Sequence, residues 1–257
     1  MDDRLADLAG RNVKGAFRAW LGSWLGAEVV DEAGFLMVST GLSSSLANAV
    51  LHCTLPKDAA RERVAFVKDW VGRTGLPLAW GLNSVAELEQ MTPLLADAGF
   101  ERRLRMPAMV LTRDSFVPAK PCDGVINELT TATEVEEWAA ACGTIFAFRE
   151  DLWPFLACPY LKNPNLVGFS LLTDRVVATS TVFVQGDTAG LYCVGTLAEE
   201  RGKGYGSAIT QVCIERAFAM GAEYVILQSS SSGLPVYEKL GFRTVGTHKR
   251  WSLPVTL

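Results

Sequence analysis

Three glycines at alternate positions of the segment Arg201-Gly-Lys-Gly-Tyr-Gly206 are the residues best placed to do chemistry. An apolar, β-prone run at residues 191–196 precedes them, and apolar residues at helical spacing follow from Ser207. The order predicts a strand, a glycine loop and a helix. Glycines let the main chain approach a ligand, and the first turn of a helix offers unpaired N–H groups at the positive end of its dipole. This arrangement suits a pyrophosphate.

The spacing of the glycines excludes two common nucleotide-binding loops. A P-loop requires G-x-x-x-x-G-K-[ST], but Gly204 stands where Ser or Thr is needed and Leu197 where the first Gly is needed. A dinucleotide fingerprint requires G-x-G-x-x-G, whereas this chain reads G-x-G-x-G. The pattern that fits is R-x-x-G-x-G. Taken alone, it leaves a purely structural turn as the alternative.

A second motif follows about 30 residues later, after a strand-like run at residues 224–227 and a polar turn. It reads Tyr237-Glu-Lys-Leu-Gly-Phe242. In this order and spacing, R-x-x-G-x-G and Tyr-x-x-Leu-Gly-Phe resemble the coenzyme A signatures of the GNAT superfamily of acyl-CoA-dependent N-acyltransferases. The chain departs from the family at Ser230, where Asn is frequent, and at Ala198, where Pro is frequent.

The resemblance implies where acetyl-CoA, the expected co-substrate, would bind. Main-chain N–H groups of the glycine loop would hold its pyrophosphate, and Arg201 and Lys203 would add charge, although Lys203 is as easily a solvated side chain. Backbone groups of Val194 and Thr196 would hold the pantetheine arm, with an N–H near Val194 facing the thioester carbonyl. The predicted cofactor-binding residues are Val194, Gly195, Thr196, Arg201, Gly202, Lys203, Gly204, Tyr205, Gly206, Ser207 and Ser230.

Tyr237 is the predicted catalytic residue, because the family pattern places it to protonate the departing sulfur. A thiol has a pKa near ~8.5 and a phenol near ~10, so the transfer is feasible. A packed core tyrosine is the alternative. No carboxylate or histidine lies at residues 191–196, so the base would act through water, with Glu150 or Asp151 as candidates unless they are ordinary surface charges. Cys193 would either pack in its strand or carry the acyl group.

The resemblance implies an α/β (α+β) fold, a GNAT fold with a mixed, mostly antiparallel sheet. Residues 118–257 are the predicted catalytic domain. Alternation and turn residues predict its strands near residues 125–129, 166–172, 176–184 and 190–196, and Thr131 or Thr133 is expected to cap a helix. In the resembling family, the region of residues 146–156 tends to cover the acceptor.

Residues 1–117 are predicted to form a degenerate GNAT-like domain without a coenzyme motif. The order helix, Gly75, strand, Pro93, helix, Gly99-Phe100, strand parallels the order around Gly221, Pro235 and Gly241-Phe242, which predicts an internal duplication. The sequence also predicts helices at residues 11–26, from a cap at Asp58 to about residue 73, from Ser84, and from Pro93 to Ala98, and strands at residues 34–40, 48–54 and 76–82.

Composition excludes several classes of protein. The net charge is −4 with 20% charged residues, which offers no basic field for nucleic acid. Six scattered cysteines without C-x-x-C and two distant histidines predict reduced thiols and no metal site. The chain has no apolar run of membrane-spanning length and no signal-peptide pattern at its start, so we expect a cytoplasmic protein without a membrane partner.

The sequence therefore predicts an N-acetyltransferase that moves an acetyl group from acetyl-CoA to the primary amine of a small molecule or peptide by direct attack. A non-catalytic acyl-CoA sensor is the alternative, because holding the coenzyme requires neither acceptor nor base. The first domain would act as a lid or as the interface of a homodimer. Its aromatic helix suits such an interface or burial within one protomer.

Overall fold

The computed structural model of the protein describes residues 3–254. The chain divides into two compact units: the first ends at Ala108 and resumes at Val245, and the second is Met109–Thr244. These compact units differ from the division at residue 117, which stays a prediction of domain organisation. The difference at the C-terminus arises because strand pairing joins residues that are far apart in the sequence.

The helices and strands alternate along much of the chain. In chain order they are α1 (Asp3–Gly22), β1 (Glu28–Glu32), β2 (Phe35–Ser39), β3 (Asn48–Cys53), α2 (Lys57–Thr74), β4 (Ala79–Leu82), α3 (Val85–Asp97), β5 (Glu101–Thr112), β6 (Val125–Glu128), α4 (Ala132–Ile145), α5 (Trp153–Ala157), β7 (Leu166–Leu172), β8 (Val176–Gln185), β9 (Thr188–Thr196), α6 (Tyr205–Ala219), β10 (Tyr224–Gln228), α7 (Leu234–Lys239) and β11 (Arg243–Ser252). No helix within residues 3–254 is long and apolar enough to cross a membrane.

The first unit has strands in the order β1-β2-β3-β4-β11-β5. β3 and β4 are parallel, whereas β1–β2, β2–β3 and β4–β11 are antiparallel. Trp80 is fully buried in the core of this unit. Its ring meets Phe35 and Phe100 edge-on, with centroids 6.2 Å and 6.0 Å away. Such edge-to-face contacts add to the free energy gained by burying the rings.

Several helix ends in the first unit differ from the sequence prediction. α1 begins at Asp3 and ends at Gly22, so Leu25, predicted to be helical, lies outside it and is 96% exposed. The N-cap residue of α2 is Pro56, and no side chain of the described residues caps this helix, so the cap predicted at Asp58 was wrong. Pro93 lies inside α3 instead of starting a helix. The buried Leu94 and Leu95 hold that helix together across the proline.

The second unit has strands in the order β10-β9-β8-β7-β6, with the end of β5 beside β10. β9 and β10 are parallel, and the remaining neighbours from β9 to β6 are antiparallel. The predicted strands of this unit are confirmed, as is the cap of α4, which Thr131 provides in a capping box with Glu134. The apolar face of α6 packs into the core through Ile209, Cys213, Ile214 and Ala217.

One succession of elements occurs twice. The series β3-α2-β4-α3-β5 repeats as β9-α6-β10-α7-β11, and in both series the first two strands are parallel. This repetition agrees with the predicted duplication. The fold is a mixed, mostly antiparallel α/β fold in which one succession of elements is repeated.

Candidate active site

The site begins where β9 and β10 separate. The two strands pair only from Thr188 to Gly190 on β9. On the other side of β9, a bulge interrupts the pairing with β8. Two residues of β9, Cys193 and Val194, stand opposite a single residue of β8. Cys193 adopts a left-handed backbone with φ 52°, and its carbonyl accepts a hydrogen bond of 2.9 Å from the Thr179 hydroxyl. The bulge bends β9 next to the opening between the strands.

The glycine loop follows β9 and ends at the start of α6. Gly202 and Gly204 have φ values of 83° and 87°, which only glycine adopts without strain. Gly204 is the N-cap residue of α6, and no side chain among the described residues caps this end. The main-chain N–H groups of the first turn are therefore available to a ligand, at the positive end of the helix dipole.

The loop, the end of β9 and the start of α7 surround one cleft with a volume of about 480 Å³. This volume lies in the range of small-molecule sites. The predicted site residues that line it are Val194, Thr196, Arg201, Gly202, Gly204, Tyr205, Gly206, Ser207, Ser230 and Tyr237. The lining residues that sequence reasoning missed are Glu200, Ser232, Gly233, Val236 and Lys239. They are neighbours of the two motifs, and no spacing rule distinguishes them.

Two residues predicted to bind the cofactor lie apart from this cleft lining. The ammonium of Lys203 pairs with the Glu200 carboxylate at 2.7 Å, so its charge is already partly neutralised. Gly195 faces the other side of β9, because successive positions of a strand point to opposite faces. A Cβ atom at Gly195 would stand 2.4 Å from Ile145 and 3.2 Å from the ring of Phe146.

The remaining polar groups of the cleft have structural contacts of their own. The Arg201 guanidinium donates a hydrogen bond of 3.3 Å to the carbonyl of Thr196, which keeps its side chain at the loop. The Ser230 hydroxyl accepts a 3.1 Å hydrogen bond from the N–H of Gly233 and lies 3.1 Å from the Ser232 hydroxyl. Ser230 therefore shapes the turn into α7 as well as lining the cleft.

Tyr237 lies on α7 and is 8% exposed. Its ring contacts Phe242 edge-on at 5.8 Å, and the backbone of Gly233 packs so closely that a Cβ there would stand 2.8 Å from the ring. Burial raises the pKa of Tyr237, and the nearby Cys213 thiol contributes in the same direction. The phenol is therefore neutral at physiological pH and can act as a proton donor.

The candidates for a general base are exposed, and one of them, Asp151, is paired. Asp151 forms an ion pair with Arg149, whose hydrogen bond lowers the pKa of that carboxyl. A lowered pKa makes Asp151 a weaker base. Glu150 is exposed in the same turn. A base that acts through water agrees with this arrangement.

Cys193 lies beside the buried thiol of Cys142. The hydrogen bond between the two thiols, together with burial, raises the pKa of Cys142 well above its ordinary value. This contact is typical of packed thiols, and an activated nucleophile would instead require a neighbouring cation. In the described part of the chain, no group of three or more His, Cys, Asp or Glu residues could hold a metal ion.

The parted strands, the glycine loop and the uncapped helix are the features expected of a GNAT fold. The model of the acetyltransferase (GNAT) family matches residues 126–242, and this part of the chain belongs to that family. A glucosamine 6-phosphate N-acetyltransferase from Trypanosoma brucei brucei is 37% identical over 78 residues, which are 28% of this chain and 53% of the relative. The chain thus spans about half the length of the curated relative that it matches.

Solved structures share the fold over nearly the whole chain. A GCN5-related N-acetyltransferase from Kribbella flavida has a TM-score of 0.73 at 18% identity and covers 96% of this chain and 95% of its own. A tandem GNAT protein from the clavulanic acid biosynthesis pathway has a TM-score of 0.63 at 12% identity and covers 100% of this chain and 96% of its own. At these identities the similarity shows a shared tandem fold.

Proposed function

We propose that the protein is an N-acetyltransferase that transfers the acetyl group of acetyl-CoA to a primary amine by direct attack. The observation that carries the proposal is the cleft in which the uncapped start of α6 lies beside the parted strands β9 and β10. The helix end suits a diphosphate, and the unpaired edge of β9 suits the amide groups of pantetheine.

The main chain would hold the coenzyme. N–H groups from Tyr205 to Ser207 would donate to the pyrophosphate, and Arg201 would add positive charge from the rim of the cleft. Lys203 would contribute less, because Glu200 already pairs with it. The bulged strand from Cys193 to Thr196 would lie along the pantetheine arm.

In the reaction, the nitrogen of a neutral amine attacks the thioester carbonyl, and the N–H near Val194 stabilises the resulting oxyanion. The carbon–sulfur bond then breaks, and Tyr237 donates its proton to the thiolate. The proton released by the amine passes to water. The products are an N-acetyl amide and free coenzyme A, and the phenol regains its proton from solvent.

The acceptor is a separate question. The relative from Trypanosoma brucei brucei is named for acetylation of glucosamine 6-phosphate, but the aligned 78 residues are 28% of this chain. Glucosamine 6-phosphate is therefore one member of the acceptor panel to be tested.

Two measurements on the purified full chain test the proposal. Calorimetric titration with acetyl-CoA is expected to show saturable binding, and release of free thiol is expected when a panel of primary amines is added. Binding without turnover on any amine would favour an acyl-CoA sensor. Absence of binding would reject both the enzyme and the sensor.

A further inference from the structure

On the face of β9 opposite the cleft lies an aromatic cover, which consists of Phe146 and Phe148 at the end of α4. Gly195 lies on this face. A Cβ atom at Gly195 would stand 2.4 Å from Ile145 and 3.2 Å from the Phe146 ring, so the absence of a side chain leaves room for both residues. Both residues stand at the end of α4, next to the segment of β9 that would hold the thioester. An acceptor that approaches the carbonyl from the face opposite the coenzyme therefore meets Phe146.

Phe146 and Phe148 form a stacked pair. Their ring centroids are 5.7 Å apart and their planes differ by 18°. Phe146 is 39% exposed, although it is a large apolar side chain beside the proposed reaction centre. Part of the apolar surface of Phe146 is therefore free to contact a further planar ring.

The backbone holds this pair in an unusual way. Between the two rings, Ala147 adopts a left-handed conformation with φ 53°. The N–H of Phe148 donates to the carbonyl of Gly143 at 2.8 Å, which closes the end of α4. A left-handed alanine is strained, and such strain is frequent where a structure fixes functional side chains. The pair is thus held by the backbone in one orientation.

The charged residues next to the pair in the sequence are unsuited to a phosphate. Within residues 145–153 the sequence contains one cation, Arg149, beside the anions Glu150 and Asp151. The Arg149 guanidinium donates to the Asp151 carboxylate at 3.0 Å, so its charge is already compensated. By contrast, aromatic faces attract an ammonium group, the form in which an amine arrives from water.

From this cover we infer that the acceptor is a small primary amine carrying an aromatic ring, which stacks on Phe146 while its nitrogen reaches the thioester carbonyl beside Gly195. This inference rests on the proposed function and names its substrate class. The reaction keeps the same balance: the amine forms a carbon–nitrogen bond, the carbon–sulfur bond breaks, and coenzyme A leaves as the thiol.

The test compares matched amines at saturating acetyl-CoA. We expect kcat/KM for 2-phenylethylamine to exceed that for 2-cyclohexylethylamine by roughly 2- to 13-fold, the size of an aromatic pair contribution. Glucosamine 6-phosphate should be the poorest of the three acceptors. F146A should remove the preference for the aromatic ring, mainly through a higher KM, and F146W should retain it.

Val125→Ala is the matched control, since Val125 is an exposed apolar residue of the same unit at 61% exposure. It should leave all three amines unchanged, and equal melting temperatures of the variants would exclude unfolding as the cause. If kcat/KM for glucosamine 6-phosphate or for 2-cyclohexylethylamine equalled that for 2-phenylethylamine, the inference would be wrong. The proposed acetyltransferase activity would still stand.

A readout that does not need turnover separates the two proposals. Saturation-transfer NMR in the presence of coenzyme A should show 2-phenylethylamine bound to the wild type and not to F146A. If acetyl-CoA binds but no amine is acetylated, the proposed function fails. In that case, detection of this bound amine would still support the aromatic site, and its absence would reject it.

Discussion

Tyr237 is the residue whose surroundings bear most directly on the proposed chemistry. It is nearly buried, packs on Phe242, and has a raised pKa, so it is protonated at physiological pH. The raised pKa also makes the phenol a weaker acid, so its proton would move to the sulfur while the carbon–sulfur bond breaks. We expect Tyr237→Phe to lower kcat by about 10²-fold or more, the usual size of a lost general acid.

The control for this prediction is binding. Because the substitution removes a hydroxyl and keeps the ring, the affinity for acetyl-CoA by calorimetry and the melting temperature should both stay within error of the wild type. Unchanged kcat in the thiol-release assay would remove Tyr237 from the mechanism and leave it as a packing residue.

Sequence reasoning about single residues succeeded where backbone identity determines the geometry. The glycines at 202 and 204 occur at the left-handed positions that only this residue adopts easily, so their spacing was informative. Gly195 was predicted from its place in the motif, without regard to the alternation of faces along β9. The structure puts it on the side of Ile145 and Phe146, apart from the cleft lining.

At the scale of elements, the cleft depends on how the loop turns into α6. Gly204 has φ 87°, and alanine there would be strained, which would displace the first N–H groups of the helix. We expect Gly204→Ala to raise the dissociation constant for acetyl-CoA by roughly 10-fold or more, since several charge-assisted hydrogen bonds share this geometry. Calorimetric titration measures the change.

Gly221→Ala offers a matched comparison in the same unit. Gly221 also has a positive φ, 92°, and has open space around the position of a Cβ, but it lies after α6 and away from the cleft lining. Gly221→Ala should lower the stability by about as much as Gly204→Ala does, and it should leave the affinity for acetyl-CoA unchanged. If both variants lost affinity equally, the loss would reflect general destabilisation and not the geometry of the loop.

The corresponding opening in the first unit is filled by a side chain. β3 and β4 pair at Ala49 and Val50, as β9 and β10 do in the second unit. Beyond that pairing, the Glu87 carboxylate accepts hydrogen bonds from the N–H groups of Cys53 and Asn83. Main-chain amides of this kind would be needed to hold a pantetheine arm. The absence of a coenzyme site from the first domain stays a prediction.

Glu87 also links the stability of the first unit to pH. Burial would raise the pKa of Glu87, but hydrogen bonds from His52, Asn83 and Cys53 outweigh it and lower the pKa below 4.5. A lowered pKa means that the carboxylate stabilises the fold fully above pH 4.5, and that this contribution disappears as the pH falls through the folded-state value.

We therefore expect Glu87→Gln to lower the free energy of unfolding by about 2 kcal/mol at pH 7, as for a lost hydrogen bond to a buried charge. Chemical denaturation across pH should show the difference shrinking below pH 4.5. Glu62→Gln, at an exposed position of α2, should cost little at any pH. A penalty at Glu87 that did not change with pH would show that packing, and not charge, is responsible.

For the molecule as a whole, the sequence predicted the succession of elements more accurately than their membership of units. The repeated order of helices, strands, prolines and Gly-Phe pairs predicted the duplication, because each of these signals depends on residues close together in the chain. The return of residues from Val245 to the first unit depends on pairing between β11 and β4, more than 150 residues apart. Local patterns carry no information on such a long-range pairing.

This long-range pairing predicts the effect of shortening the chain. Trp251 is 8% exposed and pairs with Trp80, and Val245 is 2% exposed, so both belong to the interior of the first unit. Loss of one buried large side chain costs about 3–5 kcal/mol. A chain that ends at Thr244 should therefore lose the fold of its first unit. Hydrogen exchange measured by mass spectrometry should then be fast in β4, whereas α6 in the second unit should stay protected.

A chain that ends at Ser252 keeps β11 and should exchange like the full-length protein. Full protection of β4 in the shorter chain would mean that the first unit folds without β11, as the division at residue 117 implies.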